Sequence, residues 1–213
     1  MEFIDKIFYI NLDKRKDRFE QINTELQKMN FPDEKIERFR AVERGQVGCI
    51  QSHIGVLQLA KERHYRNILI LEDDFQFIVD RSIFDHEIRT FFEKSIHFYV
   101  LMLSYLCYES KPYDDQLSIG TNCQDGAGYI VNESVYDSLI WWLCVGSDQL
   151  AKTGAHWLYM NDQIWKKLQN EDKWFILNQR IGKQNGSVSD LANTEVLLTQ
   201  DGILTIKENV NQV

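Results

Sequence analysis

Asn67-Ile68-Leu69-Ile70-Leu71-Glu72-Asp73-Asp74-Phe75 is the stretch on which the fold turns. An apolar, β-branched run leads straight into three consecutive carboxylates. The run is too short and too branched for a helix, and it predicts a buried parallel strand. Three acids at a strand end repel one another and lose hydration. A divalent cation with oxygen ligands relieves both costs. Residues two apart on a strand share a side, so Glu72 and Asp74 are expected to converge while Asp73 points away. In open α/β sheets, ligands bind at the carboxyl ends of strands, where a metal can grip a diphosphate. The plainer alternative is a solvated acidic turn after a core strand, with the middle acid capping the next segment.

Upstream, Lys6 to Leu12 predicts a first strand. Asp13 can cap a helix whose apolar positions Phe19, Ile22, Leu26 and Met29 keep helical spacing. Ile36 to Val42 reads as a second strand, and Gln46 to His64 as a second helix striped by Ile50, His53, Leu57, Ala60 and His64. With the central run this gives strand, helix, strand, helix, strand, a right-handed βαβαβ unit.

Downstream, Asp80 to Lys94 predicts a helix and His97 to Ser104 a strand. Tyr105 to Gln116 reads as a loop. Leu117 to Cys123 and Ala127 to Val131 flank Gln124-Asp125-Gly126 as a plausible β-hairpin. Asn132 can cap a helix ending near Cys144, followed by a loop from Gly146 to Gly154. Asn161 to Leu168 predicts a short helix and Lys173 to Leu177 a last core strand. Gly182 to Asp190 reads as a loop, and Val196 to Ile206 as a C-terminal hairpin around Gln200-Asp201-Gly202.

The 213 residues suit one domain, 1–213, with 44% hydrophobic and 26% charged residues typical of a globular chain. A formal net charge of -8 argues against a general nucleic-acid binder and against a polybasic membrane anchor. Met1 to Ile10 lacks the basic start and long apolar core of a signal peptide. Leu139 to Val145 is too short to span a bilayer. The expectation is a cytoplasmic protein without a membrane span. Cys49, Cys107, Cys123 and Cys144 form no CxxC pair, so buried free thiols are expected rather than a zinc site or disulfides.

Several segments offer chemistry, each with a bland alternative. Ile10 to Arg18 puts basic groups and free backbone N–H groups at a strand end and helix start, suiting a diphosphate or merely making a solvated first turn. Gly48-Cys49-Ile50-Gln51-Ser52-His53 opens the second helix. There Gly48 allows close approach, while Ser52 and His53 can bond a ligand, although His53 also fits a satisfied core position. Asp125-Gly126-Ala127-Gly128-Tyr129-Ile130 leaves room for a ligand ahead of a strand or simply turns. Asp162 in Asn161-Asp162-Gln163 is either a general base facing an acceptor hydroxyl or a helix N-cap. Gln184 to Asp190 is either a lid or a mobile loop.

Taken in order, FYINLDKRKDRFEQI, AVERGQVGCIQSHIGVLQLA, NILILEDDF, GAGYIV, NDQ and SVSD resemble glycosyltransferase family 25, which includes lipopolysaccharide and collagen galactosyltransferases. The resemblance implies an α/β GT-A fold: one Rossmann-like nucleotide-diphospho-sugar transferase domain with a mostly parallel central sheet. It also implies manganese-dependent (or magnesium-dependent), inverting transfer from a UDP-sugar, UDP-glucose or UDP-galactose, to a hydroxyl of a glycan or glycoprotein. Carried over by residue, Asn11, Leu12, Arg15, Arg18, Gly48, Ser52, His53, Glu72 and Asp73 would bind the donor. Glu72 and Asp74 would hold the metal, and Asp162 would be the catalytic base, with Asp190 or Glu43 next in line. Two departures stand out: Gln163 replaces a second acid, and Ala41-Val42-Glu43-Arg44-Gly45 replaces AVDG. The rival readings are a catalytically inactive sugar-nucleotide or glycan-binding protein, and a different metal enzyme acting on nucleotides. Trp141 or Trp142 could serve a homodimer contact, with core packing as the other use.

Overall fold

The computed structural model describes residues 2–185 and the backbone of two strands, 195–198 and 204–207. The chain opens with β1 (Lys6–Asn11), α1 (Lys16–Met29), β2 (Ile36–Arg40), α2 (Gly45–Glu62) and β3 (Asn67–Glu72). β1 lies between β2 and β3 and is parallel to both, as the βαβαβ pattern predicts. Then follow β4 (Phe75–Phe77), α3 (Arg81–Glu93), β5 (Val100–Met102), β6 (Leu106–Pro112), β7 (Leu117–Gln124) and β8 (Gly128–Asn132). α4 (Tyr136–Thr153), the single turns α5 (His156–Tyr159), α6 (Asn161–Ile164) and α7 (Lys166–Gln169), β9 (Trp174–Leu177) and β10 (Gly182–Gln184) complete the main body.

Eight strands form one sheet in the order β2-β1-β3-β8-β5-β9-β7-β6. Only β8 and β7 run against the others, so six of the eight point the same way. The side-chain alternation of β3 shows why its run is continuously apolar. Ile68 and Ile70 pack with Ile50, Leu57 and Leu139 from α2 and α4. Leu69 and Leu71 pack on the opposite face with Ile22, Leu26, Phe84 and Ile88 from α1 and α3. A strand covered by helices on both faces has no solvent side to keep polar.

Several expectations change. Tyr105 to Gln116 is mostly strand β6, and the β7 and β8 segments do not pair as a hairpin. β7 pairs with β6 and β9, while β8 inserts between β3 and β5. Local turn chemistry is satisfied either way, because Asp125 takes a positive φ of 81° at the crossing between strands. α4 runs through the expected 146–154 loop and ends where Gly154 turns left-handed. Asp13 does not cap α1; its carboxylate accepts from Arg38 and pairs with Arg40. Cys107 and Cys123 are neighbours in register on β6 and β7 and form a disulfide, so they are not free thiols. Cys49 and Cys144 are free, half-buried and exposed respectively.

Gly182–Gln184 is strand rather than loop, pairing with β4; residues 186–190 of the expected lid lie outside the described residues. β11 (Glu195–Leu198) and β12 (Leu204–Lys207) pair antiparallel, as expected of a C-terminal hairpin, and its turn residues lie outside the described ones. Among the described residues, no helix is long and apolar enough to cross a membrane.

Candidate active site

The site lies at the carboxyl ends of β1 and β3. Glu72 is the last residue of β3 and keeps the parity of Ile68 and Ile70, so it faces α2. There its Oε1 meets His53 Nε2 at 3.1 Å, and His53 Nδ1 meets the Tyr129 hydroxyl at 2.8 Å. Asn11 ends β1 on the α1 side, with the parity of Ile7 and Tyr9. Its Nδ2 donates to Asp73 Oδ2 at 2.7 Å, and its Oδ1 accepts from Arg38.

Strand alternation fails just beyond Glu72, because Asp73 and Asp74 form a turn. Asp73 was expected to point away from the pair Glu72 and Asp74. Instead Asp73 and Asp74 share one cation: Arg18 Nη1 lies 3.1 Å from Asp73 Oδ1 and 3.0 Å from Asp74 Oδ2. Glu72 turns to the imidazole. All three carboxylates nevertheless line one cleft with Leu12, Lys14, Glu43, Cys49, Ser52, His53 and Gln184.

Asp74 is the most burdened of the three. Burial, with Glu72 and Asp73 adding to it, pushes its carboxyl up to about 7, against the opposing pull of Arg18. Gln184 donates to its Oδ2 at 3.2 Å, while the buried Oδ1 has no protein partner. A set of clustered carboxylates with an unsatisfied buried oxygen fits a hard divalent cation such as Mn2+ or Mg2+. Phe75 follows the turn, and its ring fills the space over two glycines. A Cβ at Gly128 would lie 2.2 Å from that ring, and one at Gly182 2.0 Å. Gly128 therefore makes room for Phe75 rather than for a ligand.

The cleft continues past Glu72, Cys49 and Gln184 into a second chamber. That chamber is lined by Asp125, Gly126, His156, Trp157, Asn161, Asp162 and Gln163. Asp162 is not an N-cap. It sits inside α6, its Oδ2 3.4 Å from the Asp125 N–H and its Oδ1 3.4 Å from Gln163 Nε2. Burial chiefly raises its carboxyl. Asp125 accepts from Ser104 Oγ and from the Ala127 N–H, and burial holds it at about 6. Asn161 Nδ2 is buried without a partner, and Trp157 is 64% exposed at the rim. An aromatic face beside convergent polar groups suits a sugar.

The expected donor-binding residues divide. Asn11, Leu12, Arg18, His53, Glu72 and Asp73 meet at or directly beneath the cleft. Arg15 directs its guanidinium to Asp17. A Cβ at Gly48 would lie 2.1 Å from the Val42 carbonyl oxygen, so that glycine serves the chain's own packing. Ser52 lines the cleft but spends its hydroxyl donating to Gly48 O and accepting from Val42 N. Sequence reasoning missed Arg38 and Ser104; it placed Tyr129 in the GAGYIV motif and Gln184 at the start of the candidate lid without giving either a bonding partner. No local pattern marks Arg38 on β2 or Ser104 just beyond β5.

The order of the sheet, with α helices on both faces and carboxylates at the ends of its central strands, defines a nucleotide-diphospho-sugar transferase fold. Solved structures that share it include the following three. A197 from STIV is 12% identical over 99% of this chain and 98% of that one, with a TM-score of 0.54. Mannose-1-phosphate geranyltransferase from Thermus thermophilus is 8% identical over 84% and 74%, with a TM-score of 0.52. A glycosyltransferase involved in the glycosylation of the major capsid of PBCV-1 is 8% identical over 86% and 94%, with a TM-score of 0.51. Residues 27–116, under half of the chain, match glycosyltransferase family 25 (LPS biosynthesis protein), and that match supports a glycosyltransferase. The matched stretch holds the Gly48–His53 and Glu72–Asp74 motifs; Asn11–Arg18, Gly126–Tyr129 and Asp162 lie outside it. No curated protein matches the chain.

Proposed function

We propose that the chain transfers a hexose, from UDP-glucose or UDP-galactose, to a hydroxyl of a glycan or glycoprotein, with inversion and with help from Mn2+ or Mg2+. The observation that carries this reading is the single two-chambered cleft. It has paired carboxylates and an unsatisfied Asp74 oxygen in one chamber and Asp162 in the other, joined at Glu72. Asp74, with Glu72 or Asp73, would hold the cation, which supplies charge stabilisation to the departing diphosphate. The rest falls to the protein. Arg18 and Lys14 add positive charge in the same chamber. Asn161 and Gln163 offer hydrogen bonds to acceptor hydroxyls.

Asp162 takes the proton of the attacking hydroxyl as the new bond to the anomeric carbon forms and the bond to the diphosphate breaks. Burial makes its carboxylate a stronger base than an exposed aspartate. Its chamber lies across Glu72 from Asp73 and Asp74, which supports attack opposite the leaving group.

The test is a thermal-shift titration with a panel of nucleotide sugars, with and without Mn2+, alongside assay of released nucleoside diphosphate. One UDP-hexose should raise Tm only with metal, and Asp74→Ala should lose the effect. Stabilisation without any release across acceptor screens would favour the sugar-nucleotide-binding reading, which Gln163 in place of an acid keeps in play.

A further inference from the structure

We propose that Cys49, His53 and Glu72 form a second, softer metal site, taking a divalent transition ion of the zinc or cobalt type at the junction of the two chambers. Cys49 and His53 are four residues apart on α2, so they share a face. Glu72 meets that face from the end of β3. One ligand atom from each lies within 4.8 Å of the others. A tetrahedral zinc site needs its ligand atoms about 3.5 Å apart, which modest side-chain rotation supplies. Cys49 and Glu72 line both chambers, so an ion can enter from the cleft, and the fourth position faces it.

The surroundings are those of a supported site. The Tyr129 hydroxyl sits 2.8 Å from His53 Nδ1, on the far side of the ring from the ligand position. It fixes the ring orientation and can accept a hydrogen bond from Nδ1–H once Nε2 binds metal. Tyr129 itself is 1% exposed and stacks beside the His53 ring. Without a metal the thiol stays protonated, because burial and the carboxylates around it oppose a thiolate. On binding, the Cys49 thiol gives its proton to solvent and His53 remains neutral. Thiolate and imidazole select against Mn2+ and for zinc-like ions. Glu72 is common to both candidate sites, so a soft ion here would compete with the hard one in the neighbouring chamber.

The proposal does not depend on sugar transfer. The experiment uses the full chain carrying Cys144→Ser, with Cys107 and Cys123 left oxidised, titrated with Co2+ alone. A near-ultraviolet sulfur-to-cobalt charge-transfer band should appear, with release of a proton and a rise in Tm. Cys49→Ser should abolish the band and the Tm rise while leaving the metal-free Tm close to that of the parent. His53→Gln should weaken Co2+ binding at least about tenfold, and Tyr129→Phe about tenfold. Asp74→Asn should retain the band. No band at saturating Co2+, or a band surviving Cys49→Ser, would overturn the site. A band without sugar transfer from any donor would leave this site standing and remove the transfer reading instead.

Discussion

The two chambers of the cleft handle their carboxylates in opposite ways. Around Asp73 and Asp74 the charges are met by an arginine: one Arg18 nitrogen touches both. Around Asp125 and Asp162 the hydrogen-bond partners are neutral, a serine hydroxyl, backbone N–H groups and a glutamine amide, with Lys166 acting on Asp162 only through its charge. A cation-paired cluster is prepared to exchange one positive partner for another and so to hold an anionic ligand through it. Burial raises carboxyls in both chambers, Asp74 to about 7 and Asp125 to about 6; in the second the hydrogen-bond partners are neutral, which suits it to moving protons. Glu72 stands between them and belongs to both.

The largest break in this contrast comes from the neutral chamber. Asp162→Asn should lower transfer by about 10²–10⁴-fold while leaving metal-dependent donor stabilisation intact, measured as rate and Tm on the same sample. Loss of donor stabilisation too would mean that the chambers do not divide binding from proton transfer. Next, Asp74→Asn should lower transfer by about 10²–10³-fold and abolish the metal-dependent donor effect; unchanged turnover would remove Asp74 from the site.

A third test acts on the joint between chambers. Gly128→Ala drives a Cβ to within 2.2 Å of the Phe75 ring. Overpacking of this kind should cost about 1–3 kcal/mol in denaturant unfolding and loosen the Asp73–Asp74 turn. A neutral result would show that Phe75 does not hold it.

The smallest effect is a pH dependence. Asp125 is raised from 3.8 to about 6 by burial, so the folded state keeps a proton that the unfolded chain releases between those values. Stability should therefore fall as pH rises through that window, by at most about 3 kcal/mol. Asp125→Asn should flatten the curve, and an identical pH profile in the two proteins would refute the assignment.

Much of this was legible in the chain. The Ile68–Leu71 run reads as a strand because every residue in it is apolar, which only a doubly covered strand requires. The Asp73–Asp74 chamber reads as a site because its residues follow strand ends that periodicity locates. What failed was pairing and direction. β8 was expected beside β7, yet no residue in Gln124-Asp125-Gly126 encodes which strands will close on either side. Asp73 was expected to point away, but the alternation rule stops where the strand stops.

By itself, then, the sequence determined the βαβαβ opening, the buried central strand and the acidic strand end, because local periodicity and helix-strand packing act over short separations. Only tertiary structure decided that Arg18 would bridge two aspartates, that Gln184 would cross 110 positions to reach Asp74, and that Cys49, His53 and Glu72 would converge. Apart from Cys49 and His53, four apart on one helix, those contacts join residues whose spacing in the chain carries no signal. They exist because sheet order and helix docking bring distant strand and helix ends to one edge.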